Sequence, residues 1–338
     1  MNNKVVRSVC VFSKNPNDDV VYETNKISSK LKDIGYEIQT RRICSPFIDP
    51  KELKSKINDP EILLSVGTLT PEKTKDHLKN FYQAKTVSFN TDLTNIDISK
   101  AHVEILFDII KNKPSLTFNF AYVFNNRFSS PYYPSANYEK DGFAIGLQPT
   151  NLAGDCKTLQ EWLEKIRQSW LEIDKVFKKN SRYLGIDSSI APIFDGKGSL
   201  INFIKKLGQT FEQSVTTDTY IQITNFLIKN NPKPVGLCGL MFPCLEDFEL
   251  TQEYEAGRFT IERNVFLSLH SGLGIDTYPI GIDENPERVV DVLKLVAGLS
   301  KKYSKPLSVR FVSDGKAKIG DKTNFGNQYL KDVVVRSI

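Results

Sequence analysis

Two periods of apolar residues run through the first 112 residues. The β-branched run Val5–Phe12 predicts a strand. After it, apolar residues at Val20, Val21, Ile27, Leu31 and Ile34 recur near every 3.6 positions and predict a helix. Asn17, Asp18 and Asp19 supply its cap, and Gly35 is placed to end it. Residues 36–43 predict a strand, 50–58 a helix and 62–66 a strand. Thr70-Pro71-Glu72 opens a helix with proline at its first position. Residues 87–89 predict a strand, and 98–111 a helix with Val103, Leu106, Ile109 and Ile110 on its apolar side.

The theme continues beyond residue 112. Strands are expected at 116–124, 142–148, 306–312 and 333–336, the last tying the C-terminal stretch into a sheet. Helices are expected at 158–179, 200–207, 219–228 and 286–303. Trp162 and Trp170 lie eight residues apart, on one face of the helix over 158–179, and are expected in the core. Strands alternating with helices predict an α/β protein with mostly parallel strands covered by helices. Neither an internal repeat nor a low-complexity linker interrupts the chain. The expectation is a single domain over 1–338, with 1–112 distinguishable as an N-terminal subdomain.

Charge changes this picture little. Forty-five basic and 40 acidic residues leave a net +5, and the basic residues cluster no more densely than pairs such as Arg41-Arg42. A nucleic-acid binder concentrates its charge, so no nucleic-acid partner is expected and the pairs read as surface groups. Five cysteines, at 10, 44, 156, 238 and 244, are odd in number and form no CxxC, which fits a reducing, cytoplasmic setting. The apolar stretch within residues 1–17 is too short for a signal peptide, and no membrane span is expected.

Several chemistries lack their motifs. There is no Gly-Lys-Ser/Thr phosphate loop, no GxGxxG after a strand and no GxSxG elbow. Of three histidines, His77 and His102 sit on polar helices and read as surface groups, leaving His270, too few for a histidine zinc site.

What remains is a set of polar segments framed by glycine and proline, which read as loops. One runs through Tyr132, Tyr133, Asn137 and Tyr138 to Gln148; the others carry Asp187, then Cys238 with Glu246 and Asp247, then Asp276. A carboxylate set among apolar residues must be paired, hydrogen-bonded or metal-bound if it is buried. Each also has a structural reading. Asp187 is suited to a cap or Asx turn, and Glu246-Asp247 to opening a helix. Cys238 is suited to being a small buried hydrophobe, and the tyrosines to packing over a sheet end.

Six motifs resemble those of the uncharacterised family called Domain of Unknown Function 711. They are Phe143-Ala-Ile-Gly-Leu-Gln148, Asp187-Ser-Ser-Ile-Ala-Pro192, Gly239-Leu-Met-Phe-Pro-Cys-Leu-Glu-Asp247, Gly272-Leu-Gly-Ile-Asp-Thr-Tyr-Pro279, Lys305-Pro-Leu-Ser-Val-Arg310 and the turn Gly320-Asp321. The resemblance implies a barrel of two parallel half-sheets with surrounding helices, similar to pyruvate formate-lyase and other glycyl-radical enzymes. It implies no activity. Around Gly326 the arginine–valine–glycine–tyrosine fingerprint of a radical glycine is missing, which leaves Cys238 without a partner for radical chemistry.

The expectation is therefore an enzyme acting on a small polar metabolite. Asp187, Glu246, Asp247 and Asp276 form its acidic shell. Glu246, Asp247, Asp276 and Cys238 are the catalytic candidates, and Asp187, Glu246 and Asp276 are candidate ligands for a divalent cation, Mg²⁺ or Ca²⁺. Tyr132, Asn137, Tyr138, Gln148, His270 and Arg310 are expected to contact the ligand. The alternative is a non-catalytic metabolite- or metal-binding protein or assembly subunit, in either case as a homo-oligomer.

Overall fold

The computed structural model describes residues 4–338, so the first three residues of the stretch read for a leader lie outside it. The strands are β1 (Val5–Phe12), β2 (Glu37–Ile38), β3 (Arg41–Cys44), β4 (Ile62–Leu69), β5 (Val87–Asp92), β6 (Phe120–Phe124), β7 (Gly142–Leu147), β8 (Tyr183–Asp187), β9 (Gly274–Pro279) and β10 (Leu307–Val312). The helices are α1 (Asp18–Asp33), α2 (Pro50–Lys56), α3 (Pro71–Ala84), α4 (Lys100–Asn112), α5 (Leu159–Phe177), α6 (Leu200–Lys206), α7 (Phe211–Val215), α8 (Thr219–Asn230), α9 (Phe248–Glu255), α10 (Ile261–His270) and α11 (Pro286–Tyr303). Among the described residues no helix is long and apolar enough to cross a membrane.

The chain is an α/β protein built on one mostly parallel sheet of ten strands, in the order β8-β7-β1-β3-β4-β5-β6-β10-β9, with β2 beside β1. Strands β1, β3, β4, β5 and β6 are parallel to one another, as are β7 with β8 and β9 with β10. The central set meets one outer pair antiparallel at β1–β7 and the other at β6–β10. Single parallel bridges connect Ile190 to Leu240, Leu240 to Gly272 and Pro243 to Asp276, so the segment 240–243 touches both outer strands' extensions.

The segment between β6 and β7 runs against the inner face of the sheet. The Pro131 carbonyl accepts from Ser8 on β1 and Arg42 on β3. Asn90 on β5 donates to the carbonyls of Pro134 and Ala136. Ser130 donates to Asp187 at the end of β8, and the Tyr132 hydroxyl lies 2.8 Å from the Leu147 carbonyl on β7. One short segment thus reaches strands from β8 to β5, and the sheet bends around it. Cys10, Phe12, Cys44, Ala136, Ala144 and Leu184 form a small apolar cluster there, apart from the main core under the helices.

The helix expectations hold in outline. Asn17 caps α1, Thr70 caps α3 ahead of Pro71, and Trp162 and Trp170 are fully buried on α5. The strand expected at 36–43 is broken into β2 and β3, both paired with β1 in one register. Residues 114–119 form a 3₁₀ turn opened by Pro114, so only the last five residues of the strand expected at 116–124 are extended. Residues 333–336 do not join the main sheet; Val334 makes a single antiparallel bridge to Lys322. β8 and β9, within segments taken for loops, are strands.

Candidate functional site

Two irregularities in strand pairing flank the site, one at an arginine and one opposite an arginine. In β1–β7 the register shifts between Val6 and Ser8, at Arg7. In β9–β10 it shifts between Val309 and Phe311, leaving Arg310 opposite Asp276 and Thr277. The bulge in β1 turns Arg7 to the side that strict alternation would deny it. The extra residue of the second lies in β9, and Arg310 faces the same side without a bulge, by plain alternation with the core residues Val309 and Phe311. Arg42 needs none: on β3 it shares a face with Cys44, inside the bend, while Arg41 points out toward Asn25 and Glu61.

These arginines meet Glu246 and Asp276 in a ladder. Glu246 Oε1 accepts from Arg310 Nη2 at 2.5 Å, and its Oε2 lies 3.5 Å from Arg7 Nη2. Arg310 Nε donates to Asp276 Oδ1 at 2.6 Å, and its Nη1 to the Phe118 carbonyl at 3.2 Å. Arg42 donates from Nε to Thr40 Oγ1 at 2.9 Å and from Nη1 to the Pro131 carbonyl at 3.1 Å, with its guanidinium 4.9 Å from the centre of the Tyr133 ring. All five charged groups are buried. Burial raises the Glu246 carboxyl above its usual range, reinforced by Asp276 and opposed by Arg310 and Arg7.

Arg7, Arg42, Arg310 and Glu246 line a cavity of about 120 Å³, closed further by Leu63, Ser88, Phe118, Asn119, Tyr133 and Tyr329. It lies at the amino ends of β1 and β3–β6 and at the carboxyl end of β10. Its cover is aromatic: Tyr329 stacks near Phe118, with centroids 6.3 Å apart, and near Phe194, at 5.7 Å. On the other side of Phe118 and Tyr329 lies a broad surface depression lined by residues of the 324–330 segment.

The expected shell of four carboxylates does not form. Asp187 is fully buried and takes five hydrogen bonds, from Ser130, from the amide and hydroxyl of Ser189, and from the amides of Leu237 and Cys238. That exhausts its acceptor sites and fastens two loops together; a Cβ on Gly236 would lie 2.1 Å from its Oδ2. Asp247 caps α9, accepting from the amides of Leu250 and Leu200. Only Glu246 and Asp276 come together, and the Arg310 guanidinium stands between them where a cation would sit. Among the described residues no group of three or more His, Cys, Asp or Glu side chains could hold a metal ion.

The remaining candidates scatter. Cys238, in left-handed backbone, and His270 line a separate cleft of about 580 Å³ that also holds Lys305. Burial pushes the Cys238 thiol up to about 11, lowers Lys305 to about 8, and, with the Lys305 charge, lowers His270. Gly326 lines the surface depression, not the cleft of Cys238. Tyr132 is buried with its ring against Gly146. Tyr138 donates to Asp141 at 2.8 Å, and the Asn137 carbonyl accepts from the Ser129 amide. Gln148 is buried, donates to Thr150 and leaves its Oε1 without a partner. Arg310 alone of the ligand-contact candidates lines the cavity.

The sequence does not mark Arg7, Tyr329 or Phe118 for the site, and Arg42, expected on the surface with Arg41, is instead buried because β3 turns it to the face of Cys44. A charged residue inside an otherwise apolar strand, as in Val5–Phe12, was the available signal for Arg7.

The chain matches a family described as "Uncharacterised ACR (DUF711)" over residues 73–328. No curated protein matches it.

Proposed function

The chain belongs to the DUF711 family, and we propose that it is an enzyme in which Glu246 exchanges a proton with a small polar metabolite held in the interior cavity. The observation that carries this reading is the position of Glu246. It is a buried carboxyl with a raised affinity for its proton, it faces a small cavity, and two guanidiniums hold its oxygens. A group placed so that it holds a proton, next to cations that stabilise its charged form, suits general acid–base work. Asp276 acts through Arg310, fixing the guanidinium that orients Glu246. This replaces the acidic, cation-binding pocket with one of mixed charge.

The fold we propose around the cavity is a closed barrel similar to that of pyruvate formate-lyase, forming one domain. A central set that meets an outer pair antiparallel at each junction, and the bridges of Leu240 to Ile190 and Gly272, support closure. Five unpaired cysteines support a reducing, cytoplasmic location.

The test is an untargeted metabolite screen for turnover with the full chain and with Glu246→Gln, each checked for folding by circular dichroism. The substitution is expected to lower turnover by about 10²–10⁴-fold while changing ligand affinity only a few-fold. Equal turnover in the two proteins would remove Glu246 from the chemistry. A ligand carried through purification but never converted would favour the binding-protein alternative.

A further inference from the structure

The cavity's charges do not cancel. Three guanidiniums, of Arg7, Arg42 and Arg310, face two carboxylates, of Glu246 and Asp276. Arg310 takes the close contact with both acids. Arg7 is left with the 3.5 Å approach to Glu246. Among the described residues no carboxylate pairs with Arg42; its partners are a threonine hydroxyl and a backbone carbonyl. A guanidinium has five N–H donors, so two neutral acceptors leave most of its donors unused, and the face of the Tyr133 ring, 4.9 Å from it, carries no net charge to neutralise it. Taking an unpaired ion out of water is unfavourable unless a counter-charge or further acceptors meet it. Burial accordingly lowers the proton affinity of both side chains, Arg42 to about 10.

Neighbouring parallel strands carry these two arginines into the same cavity. The rest of the lining is neutral: Thr40, Ser88 and Asn119 are polar, and Leu63, Phe118, Tyr133 and Tyr329 supply apolar or aromatic surface. We propose that Arg7 and Arg42 are the binding site for the anionic group, a carboxylate or phosphate, of the small ligand. This rests on the reading of the cavity as a ligand site and supplies the ligand's charge class. A planar fork suits either oxyanion, and two such forks on one group fix its orientation. A volume of about 120 Å³ restricts the ligand to a few heavy atoms. An anion held by Arg7 and Arg42 offsets the cavity's excess positive charge and leaves Glu246, held by Arg310, to face the remainder of the ligand.

The experiment is calorimetric titration of the full chain with malonate, inorganic phosphate and the neutral malonamide, all at one ionic strength. At least one anion is expected to bind and malonamide not to. Malonate preferred over phosphate assigns a carboxylate ligand, and the reverse a phosphate. Arg42→Gln and Arg7→Gln are each expected to weaken the anion by about tenfold or more. If Arg42→Gln does not fold, Arg42→Lys, which keeps the charge and loses the fork, takes its place with the same expectation. No anion binding to the wild-type chain, or equal binding to the arginine variants, overturns the proposal. Glu246→Gln separates it from the proton-transfer reading. Anion binding kept alongside unchanged turnover in that variant removes the proton role and leaves the anion site. Turnover that depends on Glu246 in a chain that binds no anion does the opposite.

Discussion

Four acidic residues picked out for the same reason meet four different fates. Asp187 is saturated by hydrogen bonds, Asp247 caps a helix, Asp276 holds an arginine, and Glu246 faces a cavity. Sequence gave each the same chance because burial and turn residues mark a buried carboxylate without saying what satisfies it. The Asx-turn reading of Asp187 and the helix-opening reading of Asp247 were open to inspection, since both depend on residues two or three positions away. The partner of Glu246 lies 64 positions along the chain and is not readable locally. Asp247 also carries a pH signature. Burial raises its carboxyl from the ordinary 3.8 to about 7, against the pull of Ser199 and two backbone amides. The folded protein therefore holds this proton more tightly than the unfolded chain, and the stability gained is full below pH 3.8 and lost as pH rises through about 7. Asp247→Asn keeps an acceptor for the helix cap and does not titrate. Urea denaturation at pH 5 and pH 8 is expected to show wild type losing on the order of 2 kcal/mol more than the variant across that interval. Parallel losses in both proteins would mean that the capping amides outweigh burial.

At the scale of elements, what sequence reads best is regular period, and what it misses is departure from it. α1, α4, α5 and α11 fall close to their expected spans because their apolar stripes and caps are local. β9 was taken for a loop because Gly272, Gly274 and Asp276 resemble turn chemistry. Gly274 instead marks close strand approach: a Cβ there would lie 2.0 Å from the Ser308 carbonyl oxygen on β10. Arg310 follows the alternation of β10, whereas the bulge at Arg7 is set by pairing between distant strands, so its inward turn escapes any pattern within one strand. The 324–330 segment is similar. Singled out for Gly326, it matters to the cavity through Tyr329, which forms part of the wall between the cavity and the surface depression. Removing that ring should open the wall without touching the arginines. With phosphate as the probe, ³¹P line-shape analysis of Tyr329→Ala is expected to show exchange between bound and free anion faster by about tenfold, with a smaller change in affinity. An unchanged exchange rate would place the entrance elsewhere.

For the whole molecule, the α/β class and the parallel character of the sheet follow from strand–helix alternation, whereas the proposed closure depends on a segment with no strand pattern at all. Residues 240–243 read Leu-Met-Phe-Pro. Yet the amide of Ile190 donates to the Gly239 carbonyl, Met241 to Ile190, Leu273 to Leu240 and Cys244 to Asp276. Those bonds alternate between the extension of β8 and the extension of β9, which is what a strand inserted between two edges does. They also carry Glu246 to the cavity, because it follows directly on the Pro243–Asp276 bridge. Closure and site therefore stand on the same bonds. In an open sheet the amides of Ile190, Met241 and Leu273 would belong to loops and exchange with solvent through local fluctuations of low free energy. In a closed barrel they are ladder amides and open only with the sheet. Native-state hydrogen exchange is expected to place these three amides in the slow class of Val9 and Val309, and exchange as fast as that of exposed turns would mean that β8 and β9 are free edges. Glu246→Gln should leave that protection in place, because the bridging bonds are between backbone groups, so loss of turnover in this variant with protection intact would assign the defect to the carboxyl and not to the barrel.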